Sequence, residues 1–502
     1  MDSLTHETEI KIFKYLLEIG CCINCCLRLI SVHNPEYYEN PIETSQKLKY
    51  IEESFEISEE SPCIACLGIL QENVKHQVLE QVTKVITSEA NDSPTFTCAL
   101  SVPMSLTLRE KSLDISIRQN LDLPPNDLAH LFLKIESIKD VWKIQMLPRI
   151  EAAISKRSIS GPTPSPFLID ISLIHDRDES DYEYLLKKCD PNFHERRNRN
   201  VKYSRNNIEK VLSTIDKEKF AEFFAIPPGK PMGPIVLDKI SCSHAGVFIG
   251  GRYNKLSREL SQTPWFINGE KKMESSVQEL LCGPLIEATR ADSLKFLSSG
   301  REDVDVRTIN SGRPFAVELI NPRRTIIADD EMKTISERIN SSTELVQVTS
   351  NLKFLDAGHL KTLKDGENKK SKFYRALCTV KDESKKGMMD LGKLEGMRNV
   401  KIIQKTPVRV LHRRPLAARV KMLYRMRGRR LTKKETEELR KNTPDDLLDN
   451  LFVLDIKTQA GTYVKEFVHG DFGRTKPSLC DLLGEEVDIV ALDVTGINLH
   501  WP

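Results

Sequence analysis

Apolar residues recur at helical spacing near the start of the chain, where Ile10, Phe13, Leu16 and Leu17 share one face and Gly20 is placed to end the helix. A second amphipathic run, residues 72–87 (ENVKHQVLEQVTKVIT), predicts a longer helix. From about residue 95 the pattern becomes mixed. FTCALSVPMSLTL reads as a strand on its near-alternation, and IKDVWKIQMLPRIEAAI as a helix broken at Pro148. FLIDISLIH sets Ile169, Ile171 and Leu173 against Asp170 and Ser172, a half-buried strand. Pro and Gly crowd IPPGKPMGP, residues 226–234, which marks a linker. Beyond it AGVFIGGRYNK, RPFAVELINP, SKFYRALCTV, LFVLDIKT and DIVALDV predict strands. Helices are expected at ESSVQELLCGPLIEAT and ADDEMKTISERIN. The expected fold is α+β and multidomain: an α/β N-terminal module over 1–235 and a mixed-sheet domain over 236–502.

Composition narrows the class without fixing a function. An apolar content of 39% in 502 residues suffices for globular cores. With 74 Lys plus Arg against 72 Asp plus Glu, a nucleic-acid partner must be met by local patches rather than bulk charge. The N-terminus carries acids early, with no basic-then-apolar leader. No window reaches the apolar length of a membrane span. An intracellular, soluble chain without membrane association is expected, in the nucleus, the cytoplasm or both. Twelve cysteines then point to thiols that pack, bind metal or react.

Four of those cysteines form two Cys-x-x-Cys pairs, Cys22 with Cys25 and Cys63 with Cys66. Two such knuckles are the ligand set of a closed, structural zinc site. Cys21 and Cys26 leave the choice of ligands in the first pair open, and buried thiols on helix ends are the competing reading. A structural zinc would contribute on the order of 10 kcal/mol to ordering the N-terminal lobe.

Basic residues cluster twice. Residues 405–434 (KTPVRVLHRRPLAARVKMLYRMRGRRLTKK) hold twelve Lys or Arg and no acid, interleaved with apolar residues that predict a strand or hairpin. Arg413 and Arg414 fall in this run, which suits a phosphate backbone. GRYNKLSREL adds Arg252, Lys255 and Arg258 around Tyr253, with Trp265 beyond, a mixture suited to stacking on unpaired bases.

Two further stretches carry candidate chemistry. GREDVDVRTINSG, residues 300–312, alternates acids and bases around Val304 and Val306. By itself it fits an exposed strand as well as a loop with one working carboxylate. QAGTYVKEFVHGDFGRTKP reads as a strand-to-helix turn through Gly461, Thr462 and Tyr463, with Lys465 at the helix start.

Taken together, GREDVDVR resembles the motif around the catalytic aspartate of pseudouridine synthases, and GTYVKEF resembles a later motif of that superfamily. With AGVFIGGRYNKLSRELSQTPWFI, QKTPVRVLHRRPLAARV and the two cysteine pairs, the chain is identified as a member of the Pus ten family of archaeal and eukaryotic tRNA pseudouridine synthases. The resemblance is dense from about residue 240 onward. It implies a zinc-bearing, THUMP-containing N-terminal module joined to a pseudouridine synthase domain. It also implies conversion of one or both neighbouring uridines in the tRNA T-arm to pseudouridine.

By the same resemblance Asp303 matches the catalytic aspartate and Tyr374 the tyrosine that stacks on the target base. Lys465 takes the place of the basic partner of the aspartate. Arg301, Tyr463, Arg252, Arg413 and Arg414 fall among substrate and RNA contacts, and Cys22, Cys25, Cys63 and Cys66 match the zinc ligands. The loops after Arg252 and Pro407 resemble the forefinger and thumb that grip RNA. No organic cofactor is expected, since neither a dinucleotide fingerprint nor a Walker loop occurs. A monomer is expected, acting on tRNA and open to other structured RNAs. The competing class is an RNA-binding scaffold without catalysis.

Overall fold

The computed structural model describes residues 4–55, 61–132, 134–176, 205–382, 389–441, 444 and 448–502. They divide into two compact units, Met1–His244 and Ala245–Pro502.

In the first unit a four-stranded sheet runs β2 (Arg157–Ser158), β1 (Thr95–Ser101), β3 (Phe167–Ile174), β4 (Val236–His244). β1 is parallel to both β2 and β3, whereas β4 is antiparallel to β3. The alternation expected in β3 is present: Phe167, Ile169, Ile171 and Leu173 are all buried. The helix Glu72–Glu89 buries Val74, Val78, Val82 and Ile86, one face at four-residue spacing, and packs on the helix Ile138–Ile154 and on β4.

Three details depart from the sequence reading. First, the strand expected to run through SVPMSLTL stops at Ser101, and Ser105–Asn120 is helical. Leu106, Leu113 and Ile117 of that helix enter the main core, while Leu108 and Ile115 enter a second, smaller cluster. A helix buried on two faces mimics alternation over a short window. Second, Pro148 does not break its helix, which continues to Ile154. The backbone bond lost there is outweighed by burial of Val141, Trp142, Met146 and Ile150 on its core face. Third, IPPGKPMGP does not lie between the units. The Gly229 carbonyl accepts from Arg109 Nη1 at 3.1 Å and Ile235 N donates to Leu67 O at 2.7 Å. Because β4 pairs with β3, the division falls at 244/245 rather than 235/236.

The second unit is built on an eleven-stranded mixed sheet among the described residues. Its main path runs β10 (Val346–Val348), β5 (Val247–Lys255), β9 (Val306–Ile320), β17 (Val487–Ile497), β12 (Lys372–Val380), β15 (Leu451–Thr458), β14 (Ala418–Arg430), β13 (Arg398–Lys405), β16 (Thr475–Lys476). β8 (Ser293–Ser298) adds to β9 and β11 (Lys353–Leu355) to β5. A separate two-stranded ribbon, β6 (Phe266–Ile267) and β7 (Glu270–Lys271), lies between β5 and β8 in sequence. Every pairing in the large sheet is antiparallel except that of β9 with β17. The helices Val277–Thr289 and Asp329–Ser342 share one core with β5 and β9, and Val464–His469 and Leu479–Leu483 share another with β12, β15 and β17. The stretch 300–305 therefore emerges at mid-sheet, where β9 begins beside β17.

Candidate active site

The stretch GREDVDVR is not a strand from its start. Residues 301–303 are irregular, 304 and 305 form a turn, and β9 begins at Val306. Gly300 sets this up with φ +93; a Cβ there would stand 2.5 Å from Lys372 Nζ and 3.1 Å from Arg313 Nη1. The loop is then fixed from beneath. Glu302 turns inward, its side chain fully buried, to pair with Arg313 Nε at 2.7 Å, and it accepts from the Tyr253 hydroxyl at 2.9 Å. Removing one partner of such a buried pair costs about 3–5 kcal/mol. Gln262 donates to Tyr253 Oη and to Gly300 O.

Lys255, also fully buried, donates to the carbonyls of Leu260 (2.7 Å), Asp303 (3.2 Å) and Val304 (2.5 Å). Burial pushes its ammonium down to about 8, opposed by the carboxylates of Glu302, Asp305 and Asp303. Arg258 Nη1 donates to both Asp305 O and Leu492 O at 2.9 Å, tying the loop to β17. The loop's backbone is over-determined.

What this loop presents is the Asp303 carboxylate, about one-third exposed and facing two cations. Arg409 Nη1 lies 2.9 Å from Asp303 Oδ2, and Lys465 Nζ lies 3.6 Å from the same oxygen. Lys465 is held closer to Asp305, at 2.7 and 2.6 Å from its two oxygens. Burial pushes the Asp305 carboxyl up, but the Lys465 hydrogen bond and charge outweigh it, and the net is below the ordinary range. The expected partner of Asp303 is thus shared between two acids, and Arg409 is the nearer cation.

Arg409 is itself anchored. Its Nε donates at 2.5 Å to Glu466, whose side chain is 3% exposed. It projects from the turn Val408–Val410, whose first amide donates to Asp471 Oδ2 at 3.2 Å. Sequence reasoning counted Arg409 only as one of twelve cations; its partners lie 57 and 106 positions away, and no local signal distinguishes it.

Tyr463 and Gln404 exchange hydrogen bonds, side-chain amide to backbone, at 2.9 Å each way, which seats the GTY turn against β13. Tyr374 is half-buried on β12. Burial pushes its phenol up; the Arg313 guanidinium opposes this and the Glu302 carboxylate adds to it, so the ring stays neutral near pH 7 and belongs to the same electrostatic neighbourhood as the loop.

The basic stretches separate into two kinds. Arg252 is committed internally: it donates to the carbonyls of Trp501 (3.2 Å), Ser311 (3.4 Å), Gly312 (3.2 Å) and Leu499. Tyr253 is a core residue rather than a stacking platform, while Trp265 is 44% exposed. Arg301 is exposed, touching Thr263 Oγ1 at 3.3 Å. Arg413 and Arg414 are exposed and form no ion pair among the described residues. The basic run itself follows β13, with the loop 406–417 closed at its base by Thr406, and then becomes β14.

In the first unit the Sγ atoms of Cys22, Cys25, Cys63 and Cys66 all lie within 4.8 Å of one another, so these four could hold a metal ion. Cys21 and Cys26 are outside the set. Cys22 and Cys66 Sγ are 3.8 Å apart, against about 3.8 Å for the edge of a tetrahedron with metal–sulfur bonds of about 2.3 Å. Cys22 N also donates to Cys63 Sγ at 3.2 Å. The donor set fits a tetrathiolate site.

Residues 248–498 match the family model described as Pus10, C-terminal, and residues 63–242 match Eukaryotic Pus10, N-terminal. The chain belongs to the Pus10 family. Its relatives include a tRNA pseudouridine synthase Pus10 from Xenopus laevis, 34% identical with 99% of both chains covered. One from Mus musculus is 38% identical over 88% of this chain and 79% of its own. One from the archaeon Thermofilum pendens is 38% identical over 51% of this chain and 53% of its own. Pus10 proteins form a tRNA pseudouridine synthase family of isomerases, and the loop that carries Asp303 lies inside the segment matched to the C-terminal model.

Proposed function

We propose that this chain isomerises uridine to pseudouridine in the T-arm of tRNA, with Asp303 as the catalytic carboxylate. The observation that carries this reading is the arrangement at Asp303: a solvent-reachable carboxylate on a rigidly held loop, 2.9 Å from Arg409 and 3.6 Å from Lys465. The reaction breaks the C1′–N1 bond, turns the uracil, and forms a C1′–C5 bond; the C5 proton leaves and N1 takes one up. No net oxidation or energy source is needed. A positioned carboxylate serves as nucleophile or base, and Arg409 and Lys465 hold it in place.

A stacked uridine must leave its helix to reach Asp303, at a cost of a few kcal/mol. Tyr374 would stack on the flipped base and offset about 1–3 kcal/mol of it. Arg413 and Arg414 would meet RNA phosphates. In the N-terminal unit Cys22, Cys25, Cys63 and Cys66 would hold a zinc ion, which supplies structural order when bound.

The test is conversion of unmodified tRNA transcripts by purified protein without added cofactor, with pseudouridine mapped by position. T-arm product is expected from the wild type and none from Asp303→Asn, which keeps its tRNA affinity. An active Asp303→Asn overturns the assignment of the carboxylate. Wild-type protein that binds tRNA and makes no pseudouridine supports the scaffold reading instead.

A further inference from the structure

The four residues Gly470–Gly473, between the helix Val464–His469 and β16, all lie in the left-handed region, with φ of +80, +48, +55 and +79. Glycine accepts this conformation; Asp471 and Phe472 do so against their Cβ sterics. Such backbone persists only where its surroundings over-determine it. Here they do. Gly470 N donates to Glu466 O at 2.9 Å, Arg474 N to Asp471 O at 3.0 Å, and Thr475 N to Gly470 O at 3.1 Å. Asp471 N donates to His469 Nδ1 at 3.1 Å. The nearly buried Asp471 carboxylate accepts from Val408 N at 3.2 Å and faces Arg474 Nε at 3.6 Å.

All of this holds a side chain that packs on almost nothing. Phe472 is 94% exposed. Core packing gives no reason for a strained aromatic at this place. Its neighbours give another. Arg474 follows two residues later, and Lys476 Cε stands 3.8 Å from where a Gly473 Cβ would sit. Asp471 anchors the amide of Val408, next in the chain to Arg409, which reaches Asp303. Arg474 itself is turned inward, donating to Thr406 O at 3.1 and 2.7 Å, so Lys476 is the cation left beside the turn, which stands one anchored contact from the loop of Asp303.

We propose that Phe472 is a stacking platform for an unpaired base of the bound RNA, displayed by the left-handed turn. This rests on the reading of Asp303 as a site for RNA. A cation such as Lys476 beside a rigid exposed ring suits a nucleotide, whose phosphate it neutralises while the ring takes the base; an apolar protein groove gains nothing from it. Pre-setting the backbone removes ordering cost at binding.

The experiment measures binding of full-length protein to an unmodified tRNA transcript and to a blunt RNA duplex without unpaired bases. Wild type is compared with Phe472→Ala, Phe472→Leu, Phe472→Tyr and Phe472→Trp, each checked for an unchanged melting temperature. Ala and Leu should weaken tRNA binding about ten- to hundredfold, with Tyr and Trp near wild type and duplex affinity equal in all five. Phe472→Trp should also gain emission that tRNA quenches. Equal tRNA affinity of Ala and wild type overturns the proposal. So does full affinity with Leu, which would mark an apolar contact, such as one to a protein, rather than stacking. If wild type makes no pseudouridine yet Phe472→Ala still loses tRNA affinity, the catalytic reading fails and the platform stands.

Discussion

Arg409 reaches the Asp303 carboxylate at 2.9 Å from a loop that also reaches back, through the same guanidinium, to buried Glu466 at 2.5 Å. The cation nearest Asp303 therefore belongs to the basic loop, and not to the GTY turn. A charge-assisted hydrogen bond of this kind contributes about 1.5–3 kcal/mol, so Arg409→Gln should slow single-turnover conversion roughly ten- to hundredfold. Arg409→Lys restores the charge without the two-carboxylate reach and should fall between. A wild-type rate in Arg409→Gln would show that the pairing has no part in the reaction.

Lys465 divides its ammonium between Asp305, at 2.6 Å, and Asp303, at 3.6 Å. Asp305→Asn removes the stronger competitor and leaves Lys465 to Asp303, so conversion should stay within about fivefold of wild type. Lys465→Ala strips a cation from both acids and should cost about tenfold or more. If Asp305→Asn abolished product while Asp303→Asn retained it, the two acids would exchange roles.

Arg252 and the pair Arg413 and Arg414 look alike in sequence and should behave differently. Arg252→Ala leaves part-buried carbonyls without a donor, at about 1–3 kcal/mol, so the melting temperature should drop by several degrees. Its salt dependence of tRNA binding should hardly change. Neutralising Arg413 and Arg414 should do the reverse, making the slope of log affinity against log salt shallower by about 1.4–1.8. An unchanged slope would place both arginines off the RNA.

The same contrast explains what could be read from the chain in advance. Phe167–Ile174 is legible because burial alternates along it, and Leu451–Thr458 because it opens on a continuous buried apolar run. Asp303 is singled out by motif resemblance alone; its alternating neighbours suggest a strand where a glycine-started loop stands. Tyr253, Lys255 and Arg258 resembled an exposed basic patch. Their true partners, Glu302, the loop carbonyls and Asp493, lie tens to hundreds of positions away, and only the fold brings them together. Arg409 with Glu466 was hidden for the same reason.

The cysteine cluster makes a sharper distinction than spacing did. Elemental analysis should find about one zinc per chain, as four thiolates in a closed shell require. Cys63→Ser should lose most of it and melt at lower temperature, whereas Cys26→Ser, outside the cluster, should keep it. Full zinc in Cys63→Ser would refute the ligand set.

Lys255 supplies a pH test with two opposite signs. Its ammonium donates to three carbonyls, two of them on the loop that carries Asp303, and burial sets its pKa at about 8. The neutral amine has only two protons to donate. As pH rises through about 8, one carbonyl loses its donor, the loop loosens, and the single-turnover rate should fall. Stability moves the other way. The folded pKa lies below the unfolded value of 10.5, so between the two the unfolded chain binds more protons, and stability from this group rises with pH. Below about 8 its contribution is constant and at its lowest. Lys255→Met should remove both trends and lower the rate throughout. A wild-type rate that is flat from pH 7 to 9, or an alkaline fall that survives in Lys255→Met, would mean that this ammonium does not position the aspartate.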